Sequence, residues 1–150
     1  MTTGPRLGVD PEGRVGELRA LLLAGQRFRQ AVADHFGLSL SAAVVPGHLA
    51  DAGGQLMPSE LTERMLVGSG TLTAIIDRLA DNGHVQRSPH PRDRRRIHIT
   101  LTAAGRRVVR YAQQHLEQAE AAAQQAPASP LRALATALHT ETERVLRHRP

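Results

Sequence analysis

Apolar residues recur at helical spacing along most of the chain. Leu18, Leu21, Leu22, Gly25, Phe28, Val32 and Phe36 follow Val15 at intervals of about three, four and seven, which predicts an amphipathic helix that Gly37 ends. Before it, residues 1–14 are rich in Gly and Pro and read as a flexible or extended arm. Residues 39–52, SLSAAVVPGHLADA, carry a second helical pattern with Pro46 and Gly47 in its middle. Proline inside a helix removes a hydrogen bond and clashes with the preceding turn, at a cost of about 3 kcal/mol. A break or kink is therefore predicted, or two short pieces with Pro46 opening the second. Gly53 and Gly54 then read as a turn.

Two short helices follow, predicted over 58–66 and 70–82. Pro58 suits a first helical turn, with Ser59 and Glu60 favourable beside it. The second carries Leu72, Ile75, Ile76 and Leu79 on one stripe, and Gly70, Thr73, Ala74 and Asp77 opposite, flanked by Ser69 and Arg78. Asn82 and Gly83 stop it. Residues 85–101, VQRSPHPRDRRRIHITL, form two runs around a turn holding two prolines, the pattern of a β-hairpin. Thr102 is a good N-cap for a long helix to about Ala123, the APASP stretch at 126–130 interrupts it, and a last helix aligns Leu131, Leu134, Leu138 and Val145. The expected architecture is mainly α with a small β-hairpin wing: a winged helix-turn-helix over 38–101 inside a single domain, 15–150. Residues 15–37 and 102–148 would be helices whose shallow apolar faces pair with a second copy.

Charge sharpens this picture. The net charge is +5, all 19 basic residues are arginine, and residues 87–96 hold five arginines against Asp93. A patch so local, carried on a hairpin that follows a helix pair, suits a polyanion, with Arg92, Arg94, Arg95 and Arg96 meeting phosphates or the minor groove. Ser69, Thr71 and Thr73 would face the major groove, with Arg78 as a further phosphate contact. Aromatics make up 2% of the chain, which argues against a base-stacking RNA platform.

Over residues 58–105, PSELTERM, TLTAIIDRLADNGHV, RSPHPRDRRR and LTAAG follow in the order and spacing of the MarR family of bacterial winged-helix regulators, and the chain resembles that family from about Val15 to Arg147. The most specific element is Asp93, Arg95, then Leu101 and Thr102, which is similar to the family's wing signature. The resemblance implies that Asp93 and Arg95 brace the wing and that Arg95 enters the minor groove. It also implies a homodimer on a palindromic double-stranded operator, and a small lipophilic or aromatic-acid effector that binds between dimerisation helices and reading heads and releases the DNA. A dimer of this kind occludes a promoter, so a repressor is expected. The chain departs from the pattern in two respects. Gly68, Ser69 and Ala74 leave the reading face short of guanidinium groups, so specificity is expected to lean on the wing, Thr71, Thr73 and DNA shape. Pro46 and Gly47 fall in the helix that roofs the family's pocket, which is expected to be reshaped or absent.

Other chemistries find less support. The GSGT run at 68–71 lacks the lysine and length of a P-loop and reads as a helix-turn-helix elbow. Eight histidines occur without a metal-binding spacing, and no cysteine is present, so neither a metal site nor a disulfide is expected. His35 and His48 flank the expected pocket and are candidate ligand contacts. No nucleophile elbow, paired-carboxylate or nucleotide-binding motif appears, so neither an enzyme nor a cofactor is expected. No apolar run reaches membrane-spanning length and the N-terminus lacks a signal-peptide core, so a cytoplasmic protein is expected. The competing reading is a winged-helix module for protein contacts or weakly specific DNA architecture, without an inducer.

Overall fold

The computed structural model describes residues 11–90 and 92–148; the side chains of Pro11, Glu12 and Arg94 also lie outside the described part. Its elements run α1 (Pro11–His35), α2 (Leu40–Asp51), β1 (Gln55–Leu56), α3 (Pro58–Met65), α4 (Ser69–Asp81), β2 (Val85–His90), β3 (Asp93–Leu101), α5 (Ala103–Gln124) and α6 (Pro130–Arg147). This is the expected winged helix-turn-helix between terminal helices. Helix α1 begins at Pro11, so the last four positions of the expected arm are helical, while residues 1–10 lie outside the described residues.

Two elements differ from the sequence reading. Helix α2 runs unbroken through Pro46. The pyrrolidine ring is fully buried beside Val45 and Leu49, and its fixed φ already suits a helix, so burial offsets the lost hydrogen bond. The second difference is a third strand. Gln55 and Leu56 pair antiparallel with Thr100 and Ile99, giving a sheet ordered β1-β3-β2. The turn that leads into β1 requires positive φ at Gly53 and Gly54, +79° and +103°, which glycine adopts without a Cβ clash.

The core is aliphatic, as an aromatic-poor chain dictates. Val45, Leu49, Leu61, Ile76, Leu79 and Ile99 are fully buried where α2, α3 and α4 meet the sheet. Local signals set the helix starts. The Glu60 carboxylate accepts the Met57 N–H at 2.7 Å, Ser39 caps α2, and the Thr102 hydroxyl accepts the Gly105 N–H at 3.1 Å. The α3–α4 elbow turns at Leu66, which holds a left-handed conformation (φ 54°) and is almost wholly exposed. A β-carbon makes that conformation costly, by about 1–2 kcal/mol.

Helices α1, α5 and α6 pack together as a second layer. Ser129, the N-cap of α6, also donates to Glu17 at 2.5 Å, and Arg132 pairs with Glu17 at 3.1 Å, which ties α1 to the start of α6. Much of α1's apolar stripe still faces outward: Val15, Leu18 and Leu22 are exposed, as is Leu116 on α5. No helix among the described residues is long and apolar enough to cross a membrane.

Candidate nucleic-acid interface

Helix α4 presents two chemically distinct faces. Leu72, Ile75, Ile76 and Leu79 are buried, which turns Ser69, Gly70, Thr71, Thr73, Ala74, Asp77 and Arg78 outward. All four residues expected to read DNA from this helix are therefore exposed. The Thr73 hydroxyl donates to the Ser69 carbonyl at 2.9 Å, so it offers the outside an acceptor lone pair and a methyl group. Those groups match the donors of adenine or cytosine and the methyl of thymine in a major groove.

The wing is the hairpin of β2 and β3. Val85 pairs with Leu101, Arg87 with Ile99 and Pro89 with Ile97, and the register shifts at Pro89 and His90, next to the tip. Two side chains pin the tip to its own backbone: His90 Nδ1 accepts the Arg92 N–H at 3.1 Å, and Asp93 Oδ1 accepts the Arg95 N–H at 3.0 Å. The guanidinium that Asp93 meets belongs to Arg96, with Nε 3.5 Å from Oδ2. Asp93 therefore holds Arg95 through its amide and Arg96 through its side chain. An Asp carboxylate folded onto the amide two residues ahead makes an Asx turn and lies along its own main chain. Arg92, Arg95 and Arg96 are exposed. The side chain of Arg94 is outside the described part.

Wing and helix border the same side of the molecule. A cleft of about 450 Å³ runs between Ser59 and Thr62 of α3, Ser69 and Thr73 of α4, and Arg87 and Ile97 of the sheet. A second, of about 410 Å³, shares Pro58, Ser59 and Ile97 with it and extends to Arg96. Arg87, which lines the first cleft, donates from Nη2 to Asp77 Oδ1 at 2.6 Å, linking β2 to α4. Both side chains are about half exposed, so the pair contributes about 0–1 kcal/mol to stability. Sequence reasoning placed Asp77 on the outer face and counted Arg87 within the charged stretch without joining them.

The family model described as MarR family matches residues 49–97, the stretch from the end of α2 through the wing. The regulator PecS of Dickeya dadantii is 29% identical over 116 residues, covering 75% of this chain and 70% of that protein. The repressor YetL of Bacillus subtilis is 42% identical over 52 residues, covering 35% of this chain and 31% of that protein. The crystal structure of apo MarR from Escherichia coli superposes with a TM-score of 0.55 at 25% identity, over 73% of this chain and 79% of that one. The winged helix-turn-helix of this chain, over residues 49–97, is therefore similar to that of the MarR family.

The chain so assembled has a second feature above its winged helix-turn-helix. Leu21, Leu22, Phe28, Val32, Leu116 and Leu138 line an apolar crevice of about 410 Å³, with Ala43 and Val44 of α2 closing it below and the Arg29 guanidinium as its charged group. Pro46 is buried elsewhere on α2. The crevice takes its lining from these residues rather than from His35 or His48, the two candidate ligand contacts. His48 is half-buried in the last turn of α2.

His35 instead closes a polar and aromatic cluster that joins α1, α5 and α6. Its ring stacks on Tyr111 at 4.3 Å and meets Phe36 edge-on at 4.9 Å. Tyr111 meets His115 edge-on at 4.8 Å, and His115 Nδ1 bonds the buried Glu141 at 2.7 Å, whose other oxygen takes Arg144. Burial lowers the His35 pKa below its ordinary 6.5, aided by the charges of His115 and His148, and burial raises that of Tyr111. A base with a lowered folded-state pKa stays neutral in the fold while the unfolded chain takes up a proton, so this contribution to stability is present above about pH 6.5 and is lost as pH falls through the folded value. Urea unfolding of the wild type and of His35→Gln should therefore diverge in pH dependence below about pH 6.5, with the flatter profile in the variant. Parallel profiles would remove His35 as the source. Among the described residues, no group of three or more His, Asp or Glu side chains could hold a metal ion.

Proposed function

We propose that this chain is a MarR-family transcription regulator that binds a palindromic double-stranded operator as a homodimer, represses from it in the cytoplasm, and is released by a small lipophilic acid. The observation that carries the reading is the shared border of the exposed α4 face and the guanidinium-rich wing along one pair of adjoining clefts. In this arrangement α4 enters the major groove with Ser69, Thr71 and Thr73 at the base edges and Arg78 on a phosphate. Arg92, Arg94, Arg95 and Arg96 follow the flanking backbone and minor groove, with Asp93 holding the tip.

Dimerisation is supported by the outward apolar stripe of α1. Leu22 is 66% exposed and Leu18 48%, next to exposed Leu116, an apolar surface that a second copy would cover. The effector reading rests on the crevice, where leucines surround one arginine, a lining that fits an apolar body carrying a carboxylate. A relative named as a repressor supports the direction of control.

The test is fluorescence anisotropy on duplexes from the DNA upstream of the coding sequence and on scrambled duplexes, at several salt concentrations, alongside sedimentation of the free protein. A dimer that prefers one native duplex, with affinity falling steeply in salt, is expected. Equal binding to native and scrambled DNA, or a monomer that binds neither, would overturn the reading.

A further inference from the structure

The Asp77–Arg87 contact joins the two elements that the proposed function places on DNA. Asp77 stands one turn beyond Thr73 on the exposed face of α4. Arg87 comes from β2, opposite the buried Ile99 in register, and lines the cleft together with Thr73, Ile76 and Ile97. Its guanidinium thus lies on the sheet face packed against α4 and closes on the carboxylate at 2.6 Å.

Three considerations give this pair a role beyond stability. It is half exposed, so its contribution to folding is small. A carboxylate on a face that approaches phosphates repels them, and a guanidinium held against it cancels that repulsion. Finally, Ile97 and Ile99 of the sheet and Leu72 and Ile76 of α4 line the cleft between wing and helix, so the surfaces that face each other there are largely apolar. Apolar surfaces are non-directional and by themselves set no single angle between the outer hairpin and the helix, whereas a charge-assisted hydrogen bond fixes one point of it.

We propose that Asp77 and Arg87 are positioning residues for sequence recognition, a strut that sets the angle between recognition helix and wing so that both seat on one operator half-site in register. The strut rests on the DNA-binding reading above and deepens it. Asp77 acts through Arg87, and Arg87 through the hairpin that carries the wing arginines.

The probe is a duplex selected by the wild-type protein from a random 20-base-pair library, measured against a scrambled duplex with Asp77→Ala, Arg87→Ala and the double variant. Each single variant should lose about tenfold in affinity for the selected duplex and much less for the scrambled one, with the midpoint of thermal unfolding nearly unchanged. The double variant should lose no more than either single one, because a strut cut at one end no longer holds. The sign for Asp77→Ala is decisive: an acid that merely stood near DNA would bind tighter when removed, and tighter or unchanged binding overturns the strut. Losses that multiply in the double variant, with the salt slope falling only in Arg87→Ala, would make Arg87 an independent phosphate contact and also overturn it. Wild-type protein that selects no duplex from the library would instead overturn the DNA-binding reading itself.

Discussion

Gly105→Ala should destabilise the protein by about 3 kcal/mol and lower its thermal midpoint by roughly 6–12 °C. The direction is opposite to what helix propensity gives, since alanine in place of an interior helical glycine ordinarily gains about 0.5–1 kcal/mol. At Gly105 a β-carbon would stand 2.2 Å from the His84 carbonyl oxygen and 2.5 Å from Leu101 Cδ1. The leucine methyl can rotate away. The carbonyl cannot, because it accepts the Thr102 N–H at 3.2 Å and lies 2.8 Å from the Thr102 hydroxyl, which is also 2.7 Å from the Gly83 carbonyl. These bonds key the start of α5 onto the turn between α4 and β2, the joint where the winged helix-turn-helix meets the terminal helices. Gly16→Ala is the matched control, since a β-carbon there meets nothing within 4 Å and should stabilise α1 slightly. A Gly105→Ala midpoint equal to wild type would show that the joint yields and that Gly105 is only an ordinary helical glycine.

That joint also shows what the sequence can and cannot disclose. The LTAAG run was legible as a cap followed by a helix, and Thr102 caps as expected, but the close approach of Gly105 to His84 depends on how two remote elements cross. The helix pair was legible for a local reason: Leu72, Ile75, Ile76 and Leu79 repeat at the period of the helix they form, and all four are buried. The hairpin was legible from its β-branched runs and proline-bearing turn. Strand β1 was not, because two residues carry no period and the partners Thr100 and Ile99 are more than forty positions away. Helix α2 was misread at Pro46 because a propensity cost is local, while the burial that offsets it is tertiary. On the site, exposure of Ser69, Thr71 and Thr73 followed from the stripe opposite them. The partners of charged groups did not: Asp93 meets Arg96, Asp77 meets Arg87, and Glu141 meets His115, each set by backbone placement rather than by spacing. His35 was singled out as a ligand contact, and its stacking on Tyr111 could not be foreseen because nothing in the chain around residue 35 points to α5.

Removing the wing charge should have the largest effect on DNA binding. In Arg92→Ala/Arg95→Ala/Arg96→Ala, affinity for every duplex should fall, by more than about a hundredfold at physiological salt, and the slope of log affinity against log salt should shrink by about 0.9 for each phosphate that is no longer neutralised. The protein should remain folded, because all three side chains are exposed and the Arg96–Asp93 pair, at 3.5 Å on the surface, contributes about 0–1 kcal/mol. The change in discrimination separates two ways the wing can act. Arginines that touch only the backbone position the protein without reading sequence, so selected and scrambled duplexes should weaken together and their ratio should hold. An arginine inserted into the minor groove also senses groove width, so its removal should erase a preference for A·T-rich flanks while leaving the α4 half-site intact. The proposed function gives that second role to Arg95. Its amide is fixed by Asp93 Oδ1 and its exposed side chain projects from a pinned tip, and Arg95→Lys, which keeps the charge but loses the planar fork, should retain the salt slope and lose the flank preference. A triple variant whose salt slope matches wild type would remove these three arginines from the phosphate contacts and leave only Arg94 on the wing beside α4.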